Sequence, residues 1–301
     1  MKKGKIVLAG GAGYIGKELA RQFAEEYDVV ILSRHSDANS VTWDGKTLGP
    51  WQKELDGAAA VINLSGESVA KHWSDANKLS ILESRIFSTR VIGEAIQASA
   101  KPPTVWINSS AIGYYGDRGS EELTESSEPG AKGQFLVDVC VAWEEEQVRA
   151  VTPGTRKVRL RTGVVLGKGS SAFEPLRKAT TYFVGGSIGN GRQYMSWIHV
   201  NDLAAMFRWA FENEVEGPVN GTAPQPATNE ELMAMMRAVL RRPWAPPIPA
   251  FVLKLVTMLG GPEASLLLDS ERVLPKAVVG KGFEFKFGGL REAIADLLLG
   301  G

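Results

Sequence analysis

The chain has a single cysteine, Cys140, among 301 residues. No intrachain disulfide can form, and a cysteine-based zinc cage is excluded. Histidine is nearly as scarce. His35, His72 and His199 lie far apart without ligand spacing, so no metal centre is expected. An excess of either charge is missing too, with 34 Lys plus Arg against 34 Asp plus Glu. A neutral chain has no overall pull toward nucleic acid or an anionic membrane, so any anion site must be local. Long hydrophobic runs are absent. Met1-Lys2-Lys3-Gly4-Lys5 followed by Ile6-Val7-Leu8-Ala9 has the outline of a secretion signal, but its apolar stretch ends at Gly10, short of the roughly 7–15 residues required. Near the C-terminus, Ile248 to Leu259 is interrupted by Lys254 and is too short to span a bilayer. The expectation is a protein of the cytoplasm or another reducing compartment. Its partner is expected to be a small-molecule substrate, not nucleic acid or a membrane.

What the sequence does contain is alternation. Lys5–Ala9, Asp28–Leu32, Val61–Leu64, Thr104–Asn108 and Lys157–Leu160 read as short buried strands. Between them lie helical stretches such as Lys17–Tyr27, Ile86–Ala100 and Phe135–Ala150. Strand and helix in turn imply an α/β fold, a Rossmann-type doubly wound parallel sheet covered on both faces. After about residue 220 prolines cluster around one helical segment, Asn229–Arg241, which Thr228 is placed to cap. The rest reads as short helices plus a small strand at Gly282–Phe287. Residues 1–220 are therefore expected to form the main domain. Residues 221–301 are expected to form a smaller C-terminal α/β lobe on the substrate side, packed over the sheet's edge.

Gly10-Gly11-Ala12-Gly13-Tyr14-Ile15-Gly16 stands between the first strand and the first helix. This placement gives a glycine motif its meaning. The first glycines permit a tight turn, Gly13 lets the backbone approach a pyrophosphate, and Gly16 lets helix and strand pack closely. The N–H groups of the helix start, at Tyr14 and Ile15, then face the phosphates. After the second strand come Ser33-Arg34-His35, where an NAD-specific site usually places an acid. A guanidinium there favours the 2′-phosphate of NADP(H) through charge-assisted bonds. Asp37 lies close by and would partly oppose that phosphate.

Further motifs follow in order: Asn63-Leu64-Ser65-Gly66, Asn108-Ser109-Ser110-Ala111-Ile112-Gly113-Tyr114-Tyr115-Gly116, Arg161-Thr162-Gly163-Val164-Val165-Leu166-Gly167, Gly189-Asn190-Gly191-Arg192 and Trp197-Ile198-His199-Val200-Asn201-Asp202. Taken together they resemble the extended short-chain dehydrogenases/reductases, the superfamily of nucleotide-sugar epimerases and dehydratases. Thr42-Trp43-Asp44, Glu67, Ser84-Arg85, Trp143-Glu144, Arg272-Val273-Leu274-Pro275 and Gly282-Phe283-Glu284-Phe285 bring the likeness closer to one atypical branch. That branch is the epimerase family proteins of the SDR39U1-like group. The resemblance spans the whole chain. It implies NADP(H) contacts from Ser33, Arg34, Asn63, Leu64, Ser65, Gly66 and Arg85. By analogy with related folds it also implies a homodimer.

The resemblance also exposes a gap. Typical members use a Tyr-x-x-x-Lys pair, in which the ammonium lowers the phenol's pKa. The residues four beyond the six tyrosines here are Glu18, Ile31, Arg118, Gly119, Gly186 and Ile198, none of them lysine. Aligning the helix on Trp143-Glu144 puts Leu136 and Cys140 in the two slots. An ordinary phenolate costs roughly 4 kcal/mol to form at pH 7, so reduction, which needs only a proton donor, is the easier direction. Tyr115, just past a strand end, is a candidate acid or pocket wall, with Tyr114 its alternative. Ser109 and Ser110 stand where the family's catalytic hydroxyl would be. His199 is expected to position neighbours, Asp202 to cap, Cys140 to pack, Trp143 and Trp197 to fill the core, and Arg192 or Tyr194 to meet a substrate anion. Two functions remain open: an NADP(H)-dependent oxidoreductase or epimerase-like enzyme on a small carbonyl or sugar-like substrate, or a non-catalytic NADP(H) sensor.

Overall fold

Alternating side chains decide which way each strand faces. In β1 (Lys5–Ala9), Ile6 and Leu8 enter one core, while Val7 and Ala9 enter another on the opposite face. A strand buried on both faces belongs in the middle of a parallel sheet. The computed structural model, which describes residues 2–35 and 40–300, places it there.

The chain continues through α1 (Tyr14–Phe23), β2 (Asp28–Ser33), β3 (Ser40–Thr42), β4 (Ala58–Asn63), α2 (Asp75–Ala98), β5 (Val105–Asn108), β6 (Glu122–Leu123) and α3 (Phe135–Arg149). Next come β7 (Arg156–Thr162), β8 (Val164–Leu166), α4 (Phe173–Thr181), β9 (Tyr194–Met195), β10 (Trp197–His199), α5 (Val200–Glu212) and β11 (Gly217–Gly221). The last part holds β12 (Ala227–Thr228), α6 (Asn229–Val239), α7 (Ala250–Met258), α8 (Ser265–Leu268), β13 (Arg272–Val273), α9 (Lys276–Gly280) and α10 (Leu290–Leu299). Seven strands form one parallel sheet in the order β11-β7-β5-β4-β1-β2-β3. The Rossmann-type doubly wound sheet expected from the sequence is thus present.

Leu19 and Phe23 of α1 and Leu203 and Phe207 of α5 cover the face of Ile6 and Leu8. Val91, Ile92 and Ile96 of α2, with Trp106, cover the face of Val7 and Val61. A further core joins Leu166, Phe173 and Trp197 to Leu232, Met236, Ile294 and Leu297, so it draws on chain from both sides of residue 220.

Two expectations need correction. The second helix begins at Asp75, not Ile86, because Ser74 caps it, its Oγ accepting from the Asn77 N–H. Its polar first turns hide it from any apolar periodicity. Gly282–Phe287 forms no strand. The Asp202 carboxylate takes the Lys286 and Phe287 N–H groups at 2.9 and 2.8 Å. Phe283 stacks edge-on against Trp209 and Phe285. The alternating phenylalanines serve packing without a ladder.

The turn after β1 leaves no room for side chains. A Cβ on Gly16 would lie 2.2 Å from the Gly11 carbonyl oxygen, and one on Gly10, at φ +73°, would press on Ser65. Gly16→Ala is therefore expected to cost about 1–3 kcal/mol, roughly 2–6 °C in Tm by thermal denaturation. An unchanged melting curve would show that the helix and loop can separate freely.

Candidate functional site

The sheet's strand order reverses between β1 and β4, and ligands of such sheets collect outside the carboxyl ends there. Register brings the right residues together. Ala9 pairs with Leu32 on one side and Asn63 on the other, so Gly10, Ser33 and Leu64 converge. A cleft of about 290 Å³ opens at this point. Gly10, Gly13, Ser33, Arg34, Leu64, Ser65 and Gly66 of the expected cofactor residues line it.

Each has a physical reason to be where it is. The N-terminus of α1 carries no side-chain cap, which leaves its first N–H groups free on the cleft side. A Cβ on Gly13 would meet only the Gly10 oxygen, at 3.7 Å, so that side of the loop is open. Ser65 Oγ is buried and has no hydrogen-bond partner among the described residues. Asn63 is fully buried; its Oδ1 accepts from the Ser65 N–H and its amide reaches Ser88 and Thr89. It shapes the loop and leaves the facing to Ser65. Ser33 is buried and its Oγ accepts from the His35 N–H, while Arg34 is exposed at the mouth. Asp37 lies outside the described residues.

Arg85 approaches the same cleft from α2. Its Cζ lies where a Cβ on Gly66 would be only 3.0 Å away. Nη1 donates to the Glu67 and Ile81 carbonyls, and the guanidinium sits over Trp143 at 5.1 Å. Burial lowers its pKa, and no carboxylate lies within salt-bridge distance among the described residues. Tyr14 and Ile15 do not line the cleft. The Tyr14 ring turns away, against Gly167 and Gly169, and Ile15 packs on the core. Sequence reading missed Trp43 and Lys46, which also line the cleft; the Asp44 turn that presents Lys46 is the signal that would have found it.

The three candidate catalytic groups separate. Tyr115 is fully buried; its hydroxyl donates to Asn220 Oδ1 at 2.7 Å and accepts from Arg161 at 2.9 Å. Burial pushes its pKa up to about 12, against the pull of Arg161. Forming that phenolate at pH 7 would cost on the order of 7 kcal/mol. Ser110 is buried as well, its Oγ donating to Glu144 at 2.7 Å. Ser109 alone stays partly accessible, 3.4 Å from the Thr162 hydroxyl. None of the three lines the cleft, and Tyr115 and Ser110 belong instead to a buried ion-pair network. At its centre Arg161 makes two 2.8 Å bonds to Glu144 and stacks 3.4 Å over Tyr114. Burial alone would lower the Arg161 pKa; Glu144 reverses that and holds it up.

The other expectations fall out simply. Leu136 and Cys140 do lie together on α3, against Gly113, and burial drives the Cys140 thiol up to about 12. His199 is buried, caps α5 by accepting from the Asn201 N–H, and stacks on Phe287. Trp143 and Trp197 are core residues. Arg192 is exposed in a turn, and Tyr194 lies beneath Arg272.

One titratable group was not foreseen. Glu271 is held at a bridge to Met195, its N–H donating to Tyr194 O and its carbonyl accepting from Ser196. Its carboxyl makes no hydrogen bond among the described residues. Burial, then Asp269 and Asp117, push its pKa up to about 8. Periodicity carries no trace of such a group.

Two tests follow from this geometry. Glu144→Gln leaves the Arg161 charge buried and unpaired, and is expected to cost about 3–5 kcal/mol in denaturant unfolding. Adding Arg161→Met should recover part of that, and an unshifted midpoint for the single variant would refute the pairing. For Glu271, the unfolded chain releases the proton near its ordinary 4.5 and the folded chain near 8. The folded state binds more protons between these values, so stability falls as pH rises from about 4.5 to 8. Glu271→Gln should lack this decline, so its Tm relative to the parent should climb from pH 5 to 8. Parallel curves would contradict the raised pKa.

Comparison with known proteins agrees with this architecture. Residues 6–223 match the NAD dependent epimerase/dehydratase family, and residues 248–297 match a domain of unknown function, DUF1731. Epimerase family protein SDR39U1 of Mus musculus is 32% identical over 302 residues, covering 98% of this chain and 99% of its own. Epimerase family protein YfhF of Bacillus subtilis is 34% identical over 301 residues, with 97% of each covered. The crystal structure of human SDR39U1 (isoform 2) with NADPH superposes with a TM-score of 0.89 at 31% identity, over 97% of this chain and 98% of that one. A UDP-N-acetylglucosamine 4-epimerase from Methanobrevibacter ruminantium shares the fold, at TM-score 0.78 and 18% identity. The chain belongs to the NAD dependent epimerase/dehydratase family, in its SDR39U1-like branch of epimerase family proteins with a DUF1731 C-terminal domain.

Proposed function

We propose that this protein binds NADP(H) in the switch-point cleft and acts as an oxidoreductase or epimerase-like enzyme on a small carbonyl or sugar-like substrate. The observation that carries the reading is the set of donors open to an anion around one cleft. They are the uncapped start of α1, the orphaned Ser65 hydroxyl and the Arg85 guanidinium, which is bonded to carbonyls but has no carboxylate among the described residues to balance its charge. A buried hydroxyl without a partner is costly, and an anionic ligand would meet it, the free helix N–H groups and the unbalanced charge together. The NADPH held by the human relative supports the same reading.

In this reading Gly10, Gly13 and Gly16 shape the loop, and the Tyr14 and Ile15 N–H groups meet the pyrophosphate. Ser33 and Arg34, joined by Lys46, meet the 2′-phosphate. Asn63 holds the Leu64-Ser65-Gly66 turn against the nucleotide, and Arg85 meets an anionic or ribose oxygen beyond it. Bound there, the nicotinamide would give or take a hydride. Ser109 is the accessible hydroxyl placed to hydrogen-bond a carbonyl. Glu271 keeps a proton at neutral pH, which suits reduction. Tyr115 and Ser110 act through the buried network as walls and supports. Leu136 and Cys140 in the two α3 slots favour the second reading, an NADP(H) sensor without turnover.

Arg34→Glu is expected to weaken NADPH binding by roughly ten- to a hundredfold, with NADH affinity changed by less than about threefold. Calorimetry with both cofactors measures this. No NADPH uptake by the parent chain, or an unchanged affinity in the variant, overturns the site. NADPH consumption across a panel of carbonyl compounds then separates the enzyme from the sensor.

A further inference from the structure

Among the described residues, the exposed large apolar side chains are not scattered. Nine of fifteen fall in two segments, 182–184 and 244–259, which marks a patch and not the ordinary background of a surface. The most exposed include Tyr182 at 75%, Trp244 at 74%, Met258 at 80% and Leu259 at 80%. The segments form one surface. Gly189 N–H donates to the Ile248 carbonyl, Ile248 N–H to that of Ser187, and Arg242 stacks on Phe183 at 4.4 Å.

Helix α7 is the centre of it. Ala-Phe-Val-Leu-Lys-Leu-Val-Thr-Met has one charged side chain, Lys254, and none of its residues is buried. Leu253 packs on the core that holds Leu232 and Met236, but Phe251, Leu255, Val256 and Met258 stay exposed, and an apolar helix that leaves so much uncovered presents that surface to something else.

The charges say to what. Residues 232–262 carry Arg237, Arg241, Arg242 and Lys254 without one Asp or Glu, and residues 175–192 carry Arg177, Lys178 and Arg192, also without an acid. Arg177 is paired with Glu174 and Arg237 is bonded to the Gly185 carbonyl; the others form no ion pair among the described residues. The chain as a whole is neutral, so the excess is local. A two-fold related copy would set these cations against each other. An anionic lipid surface instead takes the apolar side chains into its acyl boundary, Trp and Tyr at headgroup depth, and the cations onto its phosphates.

We propose that α7 and the 182–184 turn form a docking face for anionic membrane surfaces. No helix among the described residues is long and apolar enough to cross a membrane, so the contact is peripheral. The neutral total that argued against a membrane partner conceals this local imbalance.

Co-sedimentation of the full chain with phosphatidylcholine vesicles, with and without one-quarter phosphatidylglycerol, tests it. The anionic vesicles should bind at least about tenfold more protein, and 0.5 M salt should remove most of that binding. The double variant Phe251→Glu/Met258→Glu, both sites exposed, should lose it at least tenfold while Tm and NADPH affinity stay those of the parent. Equal binding to both vesicle types, no binding, or binding unaffected by salt overturns the proposal. So does self-association in lipid-free solution that the same two substitutions abolish, since the face would then serve a second copy. Loss of NADPH binding in the parent chain would touch only the cofactor site and leave the lipid result standing.

Discussion

Glu144 and Arg161 are opposite charges taken out of water together, with Arg159 a second, more distant cation at 3.6 Å, and Arg161 is not tolerable without the carboxylate. Their bond fixes more than α3 to β7. The remaining Arg161 donor reaches Tyr115, Tyr115 reaches Asn220 on β11, and Asn220 reaches the Leu274 carbonyl beyond β13. Ser110, at the end of β5, joins through Glu144. One continuous polar chain therefore ties three strand ends, a helix and the C-terminal segment. In a low-dielectric interior such a network is rigid when complete and costly when any member is lost. The carboxyl edge of the sheet, and Ser109 on it, takes its position from this chain.

The same pair bears on the phenols at this edge. A cation beside a phenol lowers its pKa, and Arg161 lies against both Tyr114 and Tyr115. Its charge is answered by Glu144, and burial prevails at Tyr115, which stays protonated. A second cation beside the phenol would be needed to change that, and Cys140 on α3, against Gly113, is itself neutral. The groups near this edge thus hold their protons at neutral pH. The switch-point cleft is the opposite case, where free backbone N–H groups, the Ser65 hydroxyl and Arg34 stand beside the Asp44 and Glu67 carboxylates. The cleft and this buried edge therefore rest on different chemistry, one on free backbone and guanidinium donors, the other on protonated oxygen groups.

What could be read from the sequence follows this division. The glycine turn was legible because backbone crowding restricts residue type directly: at Gly16 even one carbon is too many. Strands β1 and β5 were legible because burial on both faces leaves an unbroken apolar run. The start of α2 was hidden since capping, not periodicity, specifies it. Strand β4 opens on Ala58-Ala59-Ala60, residues with little strand preference, and forms because its neighbours supply a ladder on each side. The burial of Tyr115 and Ser110 depended on a pairing between residues 17 apart in sequence and on different elements, which no local pattern encodes.

The C-terminal segment carries the point further. Its backbone donors and acceptors are met by side chains of the first 220 residues: Asp202 at Lys286 and Phe287, Ser196 at Glu271 and Val273, Asn220 at Leu274. A strand would have satisfied the same groups with its own kind, and then Phe283, Phe285 and Phe287 would all line one face. Held by side chains, the segment is free to bend, so that Phe283 packs against Trp209 while Phe287 covers His199. The path also sets Glu271 at Met195, where burial and two neighbouring acids keep its carboxyl protonated. The tail thus draws its shape from the sheet domain and in return carries a carboxyl that burial and its acidic neighbours hold protonated at neutral pH.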